Sequence, residues 1–398
     1  MNILFFMKVF EVGGQEVVTN VLAQHFVKRG HQVVIASFKE PSKEMARRVD
    51  NRIPIYTIGD FKISNTNTNK LASIIRKHHI NIVINQWGLP YIPIRTLSNI
   101  KKDYRDLVFK IISIYHNSPD TNARIKDVEI SLENTTSKLK RGILLLKKRI
   151  FKFITATSML HVYKHSDVFM VLSPNFINTF KDFCGIKKAT KLIYQTNPAT
   201  IDASSFKFDV NQKQKEILYV GRIDYNQKRV YRVIETWALL ENEHPDWKLT
   251  IVGDGCEREN IEKQVRELKL KRVSFEGFKE PKEYYERASL LLLTSEYEGF
   301  PLVLAECMSF GVVPAVYGSY KAVYDIIEDN KNGIILPYST KGYNTQDMAN
   351  RLSTIMDNRI QYEKMAVAAI DTSKHYAIEN IYKSWNELFE KLVSAKQN

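Results

Sequence analysis

Ile3-Leu4-Phe5-Phe6, then Glu11-Val12-Gly13-Gly14-Gln15-Glu16, then Gln32-Val33-Val34-Ile35-Ala36 are the stretches whose order decides the fold. The first is a short apolar run of strand length. Between the glycines and the third stretch, Val17, Val21, Leu22 and Phe26 recur at helical period, and Gly30 stops that helix. Strand, glycine loop, helix and strand make a βαβ unit of parallel sheet. Further strands read at 82–85, 109–114 and 168–173, separated by helix-period segments. The pattern lapses in a polar stretch over 197–214 and resumes with strands at 217–220, 248–252, 273–275, 290–293 and 312–316.

The expected fold is therefore α/β, with two Rossmann-like doubly wound domains facing a cleft. Their expected bounds are 1–200 and 201–375, followed by a C-terminal amphipathic helix within 376–398. Ile381, Trp385, Leu388 and Leu392 share one face of that helix, which is expected to pack back on the first domain. Length agrees, because single cores stop growing at roughly 250 to 300 residues and this chain has 398.

An apolar fraction of 44% with 26% charged residues describes a globular chain and excludes a disordered one. Cys184, Cys256 and Cys307 are far apart and form no CxxC pair, so neither a disulfide framework nor a zinc site is expected. No apolar stretch reaches the ~20 residues of a membrane span, and the start leaves no room for a charged leader region. A cytoplasmic, unprocessed protein is expected.

The net charge of +14 is uneven. Residues 1–200 hold 31 Lys and Arg against 14 Asp and Glu, while 201–398 hold 27 against 30. A field on one half points to an anionic partner for that half. The segment 138–152 has seven cations (Lys138, Lys140, Arg141, Lys147, Lys148, Arg149, Lys152) and no acid. Leu139, Ile143, Leu144, Leu145, Ile150 and Phe151 are interleaved among them. Two readings stay open: a helix lying on an anionic membrane surface, or a core-packed helix with a solvated basic face. Nucleic acid is not expected, since no aromatic-basic stacking motif or zinc module accompanies the charge.

Two stretches in the second half carry chemistry. Val220-Gly221-Arg222-Ile223-Asp224 leaves a strand, with a helix expected from Lys228, and so sets two cations at the carboxyl edge of a sheet, where such folds bind ligands. An Arg fork and a mobile Lys suit a diphosphate. Ser295-Glu296-Tyr297-Glu298-Gly299-Phe300-Pro301-Leu302-Val303-Leu304-Ala305-Glu306 puts one carboxylate in a loop and another about one turn into a helix. Both can accept hydrogen bonds from neutral hydroxyls, and the helix start faces an anion.

Six motifs taken in order resemble retaining glycosyltransferase family 4 (glycosyltransferase group 1), whose members have the B-type two-domain glycosyltransferase fold. They are Gly13-Gly14, Gly221-Arg222 with Lys228, Ile251-Val252-Gly253-Asp254-Gly255, Phe275-Glu276-Gly277-Phe278, Glu298-Gly299-Phe300 with Glu306, and Gly311-Val312-Val313-Pro314. The C-terminal half matches nearly throughout, the N-terminal half mainly at its glycine loop and alternation. The resemblance implies that the first domain binds acceptor and the second a nucleotide diphosphate-sugar. Arg222 and Lys228 would grip the diphosphate, helped by Gly13, Gly14 and the backbone of Phe300, Pro301, Leu302 and Val303. Glu298 beside Gly299 would hold the transferred sugar, Glu306 the ribose, and Gly277 and Phe278 would contact the base. His116, in Tyr115-His116-Asn117-Ser118, resembles the strand-end histidine that faces the donor sugar. Arg229 stands where the family often has glycine.

The resemblance further implies a retaining hexosyltransferase with Glu298, His116, Arg222 and Lys228 as its catalytic set. It would move a hexose or N-acetylhexosamine, most readily from a UDP-sugar, to a glycan or lipid-linked acceptor of a bacterial surface polysaccharide. The chain contains no Asp-x-Asp, so no metal and no cofactor beyond the sugar nucleotide is expected. A peripheral place on the inner membrane face is expected if segment 138–152 binds lipid. The alternatives are a nucleotide-sugar epimerase of the same fold and an inactive adaptor of a partner transferase.

Overall fold

The structure, a computed structural model, describes residues 1–394; the end of the expected C-terminal segment, 395–398, lies outside the described residues. Contacts divide the chain into two compact units. Unit 1 holds Met1–Thr200 together with the C-terminal helix from Ile378, and unit 2 holds Ile201–Ala377.

Unit 1 has strands β1 (Asn2–Met7), β2 (Gln32–Ser37), β3 (Ile55–Thr57), β4 (Ile82–Asn85), β5 (Lys110–Ile114), β6 (Val168–Val171) and β7 (Leu192–Tyr194). Unit 2 has β8 (Gln214–Val220), β9 (Lys248–Val252), β10 (Val273–Gly277), β11 (Ala288–Leu293), β12 (Val313–Gly318) and β13 (Ile334–Pro337). The spatial orders are β3-β2-β1-β4-β5-β6-β7 and β10-β9-β8-β11-β12-β13, and every pair is parallel. Strands covered on both faces read as unbroken apolar runs, and Ile3, Leu4, Phe5 and Phe6 are accordingly fully buried. The strands β3, β7 and β13 are not expected from the sequence. All three are edge strands of three or four residues, and β3 and β7 bury little of their length.

Three loops at the carboxyl edge of the unit 2 sheet are joined backbone to backbone. Gly221 N–H donates to Val252 O (3.0 Å), Gly253 N–H to Gly277 O (2.7 Å) and Ile223 N–H to Asp254 O (2.9 Å). Gly253 has φ 141°, and a Cβ there would lie 1.9 Å from Gly221 O.

The expected helix at Lys228 begins instead at Tyr231. Asp224 Oδ1 accepts from the N–H groups of Gln227 (2.7 Å) and Lys228 (3.0 Å), and Arg229 follows at φ 52°. A left-handed residue interrupts the helix, so a backbone conformation that favours glycine is carried here by an arginine.

The basic segment is the first half of a longer helix, Lys138–His165. Its inner side meets the Ala123–Glu133 helix, with Lys148 Nζ 2.8 Å from Glu129 and Asn122 Nδ2 donating to Thr155 Oγ1 at 2.9 Å. Leu139, Ile143, Leu145, Leu146, Ile150, Phe153 and Ile154 are exposed, which is not the burial of a core-packed helix. The Ile378–Ser394 helix buries Ile381, Trp385 and Phe389. Phe389, rather than the expected Leu388 and Leu392, completes the face, because it meets Phe26 of unit 1 at 5.4 Å.

Replacing Gly253 with Ala should cost about 1–3 kcal/mol by overpacking, since the atom in the way is backbone. Gly142→Ala, in the exposed helix with nothing within 4 Å, should instead add about 0.5–1 kcal/mol. Urea denaturation of both variants checks the pair.

Candidate active site

In unit 2 the strand order reverses between β8 and β11. Ligands of open α/β sheets bind at such a switch point, beyond the carboxyl ends of the strands. The segment after β8 carries Arg222, Asp224, Gln227 and Lys228; the segment after β11 carries Ser295, Glu296 and Glu298. Lys228 Nζ lies 2.5 Å from Glu298 Oε1, both side chains being largely buried. Arg222 is mostly exposed, with Nε donating to Asp224 Oδ2 (2.8 Å) and Nη2 to Gln227 Oε1 (3.1 Å). Gln227 Nε2 in turn reaches Tyr297 O (3.2 Å) and Glu298 Oε2 (3.4 Å). Burial alone would raise Asp224, but the N–H groups of Gln227 and Lys228 and the Arg222 guanidinium hold it below the usual carboxylate range. An ionised Asp224 thus orients one cation through its side chain and the other through its backbone.

Beneath this lies a second ion pair. Arg232 Nη1 is 2.9 Å from Glu296 Oε2 and donates to Thr294 O at 3.3 Å, while Glu296 N–H donates to Gln227 O at 2.7 Å. The buried pair fixes the β11 segment against the β8 segment. Gly299, Phe300 and Pro301 then lead to the Leu302–Ser309 helix, whose first N–H groups, at Leu302 and Val303, have no intrahelical acceptor. Phe300 is packed edge-on against Tyr376 at 5.2 Å. Glu306 sits one turn in, buried, and accepts from Tyr285 Oη at 3.3 Å. Gly277 closes β10 with φ 71° and Phe278 beside it is exposed, both on the same sheet edge, two strands along from β8.

In unit 1 the reversal falls between β1 and β4. Gly13 precedes and Gly14 opens the Gly14–Lys28 helix that follows β1. Glu16, in its first turn, is buried, and burial pushes its carboxyl up to about 7 against the pull of its own backbone N–H. His116 follows β5. Its Nε2 lies 2.6 Å from Gln86 Oε1, which requires the proton on Nε2. Burial pushes the ring down to about 3, so the imidazole is neutral at neutral pH.

Several polar groups outside the expected site set face the same edges. Ser295 Oγ and Tyr320 Oη in unit 2, and Gln15 Nε2, Gln86 Nε2 and Trp87 Nε1 in unit 1, are buried without a hydrogen-bond partner among the described residues. Buried polar atoms are normally paired, so these are candidate contacts for substrate hydroxyls. Gln15 and Ser295 lie inside stretches that the sequence marks; Gln86, Trp87 and Tyr320 carry no motif. Among the described residues no group of three or more His, Cys, Asp or Glu is placed to hold a metal ion.

Two parallel sheets with cations at the switch point of the second define a class, the two-domain B-type glycosyltransferases. The HepE protein of Anabaena, solved with UDP-glucose, has this fold: 15% identity, a TM-score of 0.74, and coverage of 98% of this chain and 100% of that one. The lipopolysaccharide outer core galactosyltransferase WaaB matches with a TM-score of 0.68 at 19% identity, over 98% of this chain and 100% of that one. Residues 200–372 match the family described as "Glycosyl transferases group 1", and residues 12–195 that described as "Glycosyltransferase Family 4". The chain belongs to the group 1 glycosyltransferases and is a glycosyltransferase. An uncharacterized glycosyltransferase of Haemophilus influenzae is 24% identical over 96% of this chain and 97% of its own. The amylovoran biosynthesis glycosyltransferase AmsD of Erwinia amylovora is 23% identical over 80% and 93%.

Glu16 yields a prediction with a definite sign. The folded protein holds this proton up to about pH 7, against 4.5 in an ordinary carboxyl. Stability from the neutral form is complete below the lower value and is lost as pH rises through the upper one, a difference of roughly 3 kcal/mol. Glu16→Gln should therefore match wild type in urea denaturation near pH 4 and exceed it near pH 8.

Proposed function

We propose that this glycosyltransferase moves a hexose or N-acetylhexosamine, with retention, from a UDP-sugar to a hydroxyl of a glycan or lipid-linked acceptor in bacterial surface polysaccharide synthesis. The observation that carries the reading is the convergence of Arg222, Lys228 and Glu298 at the unit 2 switch point. As the bond to the anomeric carbon breaks, negative charge grows on the diphosphate. Arg222, Lys228 and the helix start at Leu302 and Val303 would meet it as preorganised positive groups, which supports catalysis without a metal. Glu298, held by Lys228 and Gln227, has carboxylate capacity left for sugar hydroxyls. Glu306 would hold the ribose, and Gly277 with Phe278 the base. Neutral His116 has Nδ1 to accept a hydroxyl proton while Nε2 is committed to Gln86. A leaving phosphate oxygen would take the acceptor's proton on the same face of the sugar.

Uridine is supported by neighbours of this fold solved with UDP, among them HepE and the Staphylococcus aureus TarM. The acceptor class is supported by relatives such as the N-acetyl-D-galactosaminyltransferase of Campylobacter jejuni, whose name gives a PP-undecaprenol-linked glycan. It is 28% identical over 63% of this chain. The exposed apolar positions and cations of the Lys138–His165 helix suit an anionic membrane surface. No helix among the described residues is long and apolar enough to cross a membrane, so contact would be peripheral, on the inner face.

A panel of nucleotide sugars with EDTA present, scored by thermal shift and by slow release of UDP or GDP, tests the transferase reading. One donor should stabilise selectively, and Arg222→Ala and Glu298→Ala should each lower turnover by roughly 100-fold or more. No binding of any donor would sink the site assignment and favour an adaptor; interconversion of the donor without release would favour an epimerase. Cosedimentation with anionic vesicles, weakening with salt and absent with DNA, is expected for the basic helix.

A further inference from the structure

Unit 1 contains a trough of about 520 Å³ lined by Ile63, Tyr91, Arg95, Phe153, Ile154 and His161, with exposed Thr157 and half-buried Ser158 also on its wall. Its size falls in the usual range for small-molecule sites, roughly 300–1,000 Å³. We infer that it binds the hydrocarbon chain of a single lipid phosphate, with the phosphate held at Arg95 and His161. The inference deepens the acceptor half of the proposed function and rests on it.

Leu139, Ile143, Leu146, Ile150 and Phe153 are exposed and spaced by four, three, four and three residues. They form one stripe of about 20 Å along the Lys138–His165 helix, and the stripe runs into the trough. A second copy pairing through this stripe would bring the flanking Lys140, Lys147 and Arg149 near their like; an anionic amphiphile meets the same cations with opposite sign. The trough itself offers the two halves of such a ligand. Its walls are largely apolar, while Arg95 is exposed with no acidic partner among the described residues and His161 Nε2 is buried without a hydrogen bond. Position adds a third argument. Ser158 Oγ donates to Leu89 O at 2.6 Å, and Gly88 N–H to Ile114 O at 2.8 Å. The loop that backs the trough is thus tied to the end of β5, two residues before His116, and carries Gln86, the partner of that histidine.

Calorimetric titration with geranyl phosphate, a soluble prenyl phosphate, tests this without a membrane. Saturable binding is expected, at least tenfold tighter than that of geraniol or inorganic phosphate alone. Thr157→Trp, which fills the trough from an exposed position, and Arg95→Ala should each weaken it at least tenfold; Leu139→Ser, outside the trough, should leave it unchanged. Binding that survives Thr157→Trp, or that decyltrimethylammonium reproduces, would overturn the assignment. So would a concentration-dependent dimer that Thr157→Trp abolishes without any phosphate preference. UDP-sugar hydrolysis by the same preparations separates the two readings. Hydrolysis without geranyl phosphate binding removes the trough alone, whereas binding without hydrolysis of any donor removes the transferase reading and leaves the trough.

Discussion

The reversal of strand order between β8 and β11 is the constraint on which the unit 2 site depends. At every other junction of that sheet, the helix leaving a strand crosses over its neighbour; here the crossovers run apart and leave the two carboxyl ends uncovered. The residues from Arg222 to Lys228 and from Ser295 to Glu298 are the chain leaving those two ends. Glycine packing at Gly221, Gly253 and Gly277 lets three successive loops lie against one another, so the β8 segment is held from its outer side as well.

Within that frame the charges are arranged in tiers. Asp224 holds the backbone of Lys228 and the side chain of Arg222; Arg232 and Glu296 hold the opposing segment; Gln227 bridges the two. The outermost cations are thereby fixed before any anion arrives, which is the condition for electrostatic preorganisation. Removing a buried partner such as Glu296 would leave Arg232 uncompensated, so the inner pair bears on stability, while under the proposed function the outer pair would bear on the reaction.

Much of this is legible in the sequence, and for a physical reason. Parallel strands buried on both faces write themselves as apolar runs, which is why β1, β2, β4, β8, β9 and β11 can be read directly, and glycine-marked loops after them mark the proposed site. The edge strands β3, β7 and β13, by contrast, carry only three or four residues, and their existence is decided by a neighbour in space. The start of the helix after β8 is misplaced by periodicity alone, because a side-chain cap at Asp224 and a left-handed arginine override it. Gln86, Trp87 and Tyr320 belong to no motif; only the fold brings their unpaired atoms to the sheet edges. The basic helix is visible as charge, but its exposed stripe is not, since 3.6-residue spacing does not say which face meets the protein.

The return of the chain to unit 1 has a consequence for how the molecule is made. Phe26, in the first helix, is packed against Tyr382, Trp385 and Phe389 of the last, and Arg29 and His31 are bonded to Glu379 and Tyr382. Unit 2 is continuous in sequence and can close its core as soon as it has been synthesised. Unit 1 cannot, although its sheet emerges first, because part of its aromatic core is encoded at the far end. During synthesis the apolar side of the first helix must wait uncovered for the time taken to translate more than half the chain. At roughly 5–20 residues per second that is a window of tens of seconds, in which Phe26 and its neighbours are open to chaperones or to misassembly.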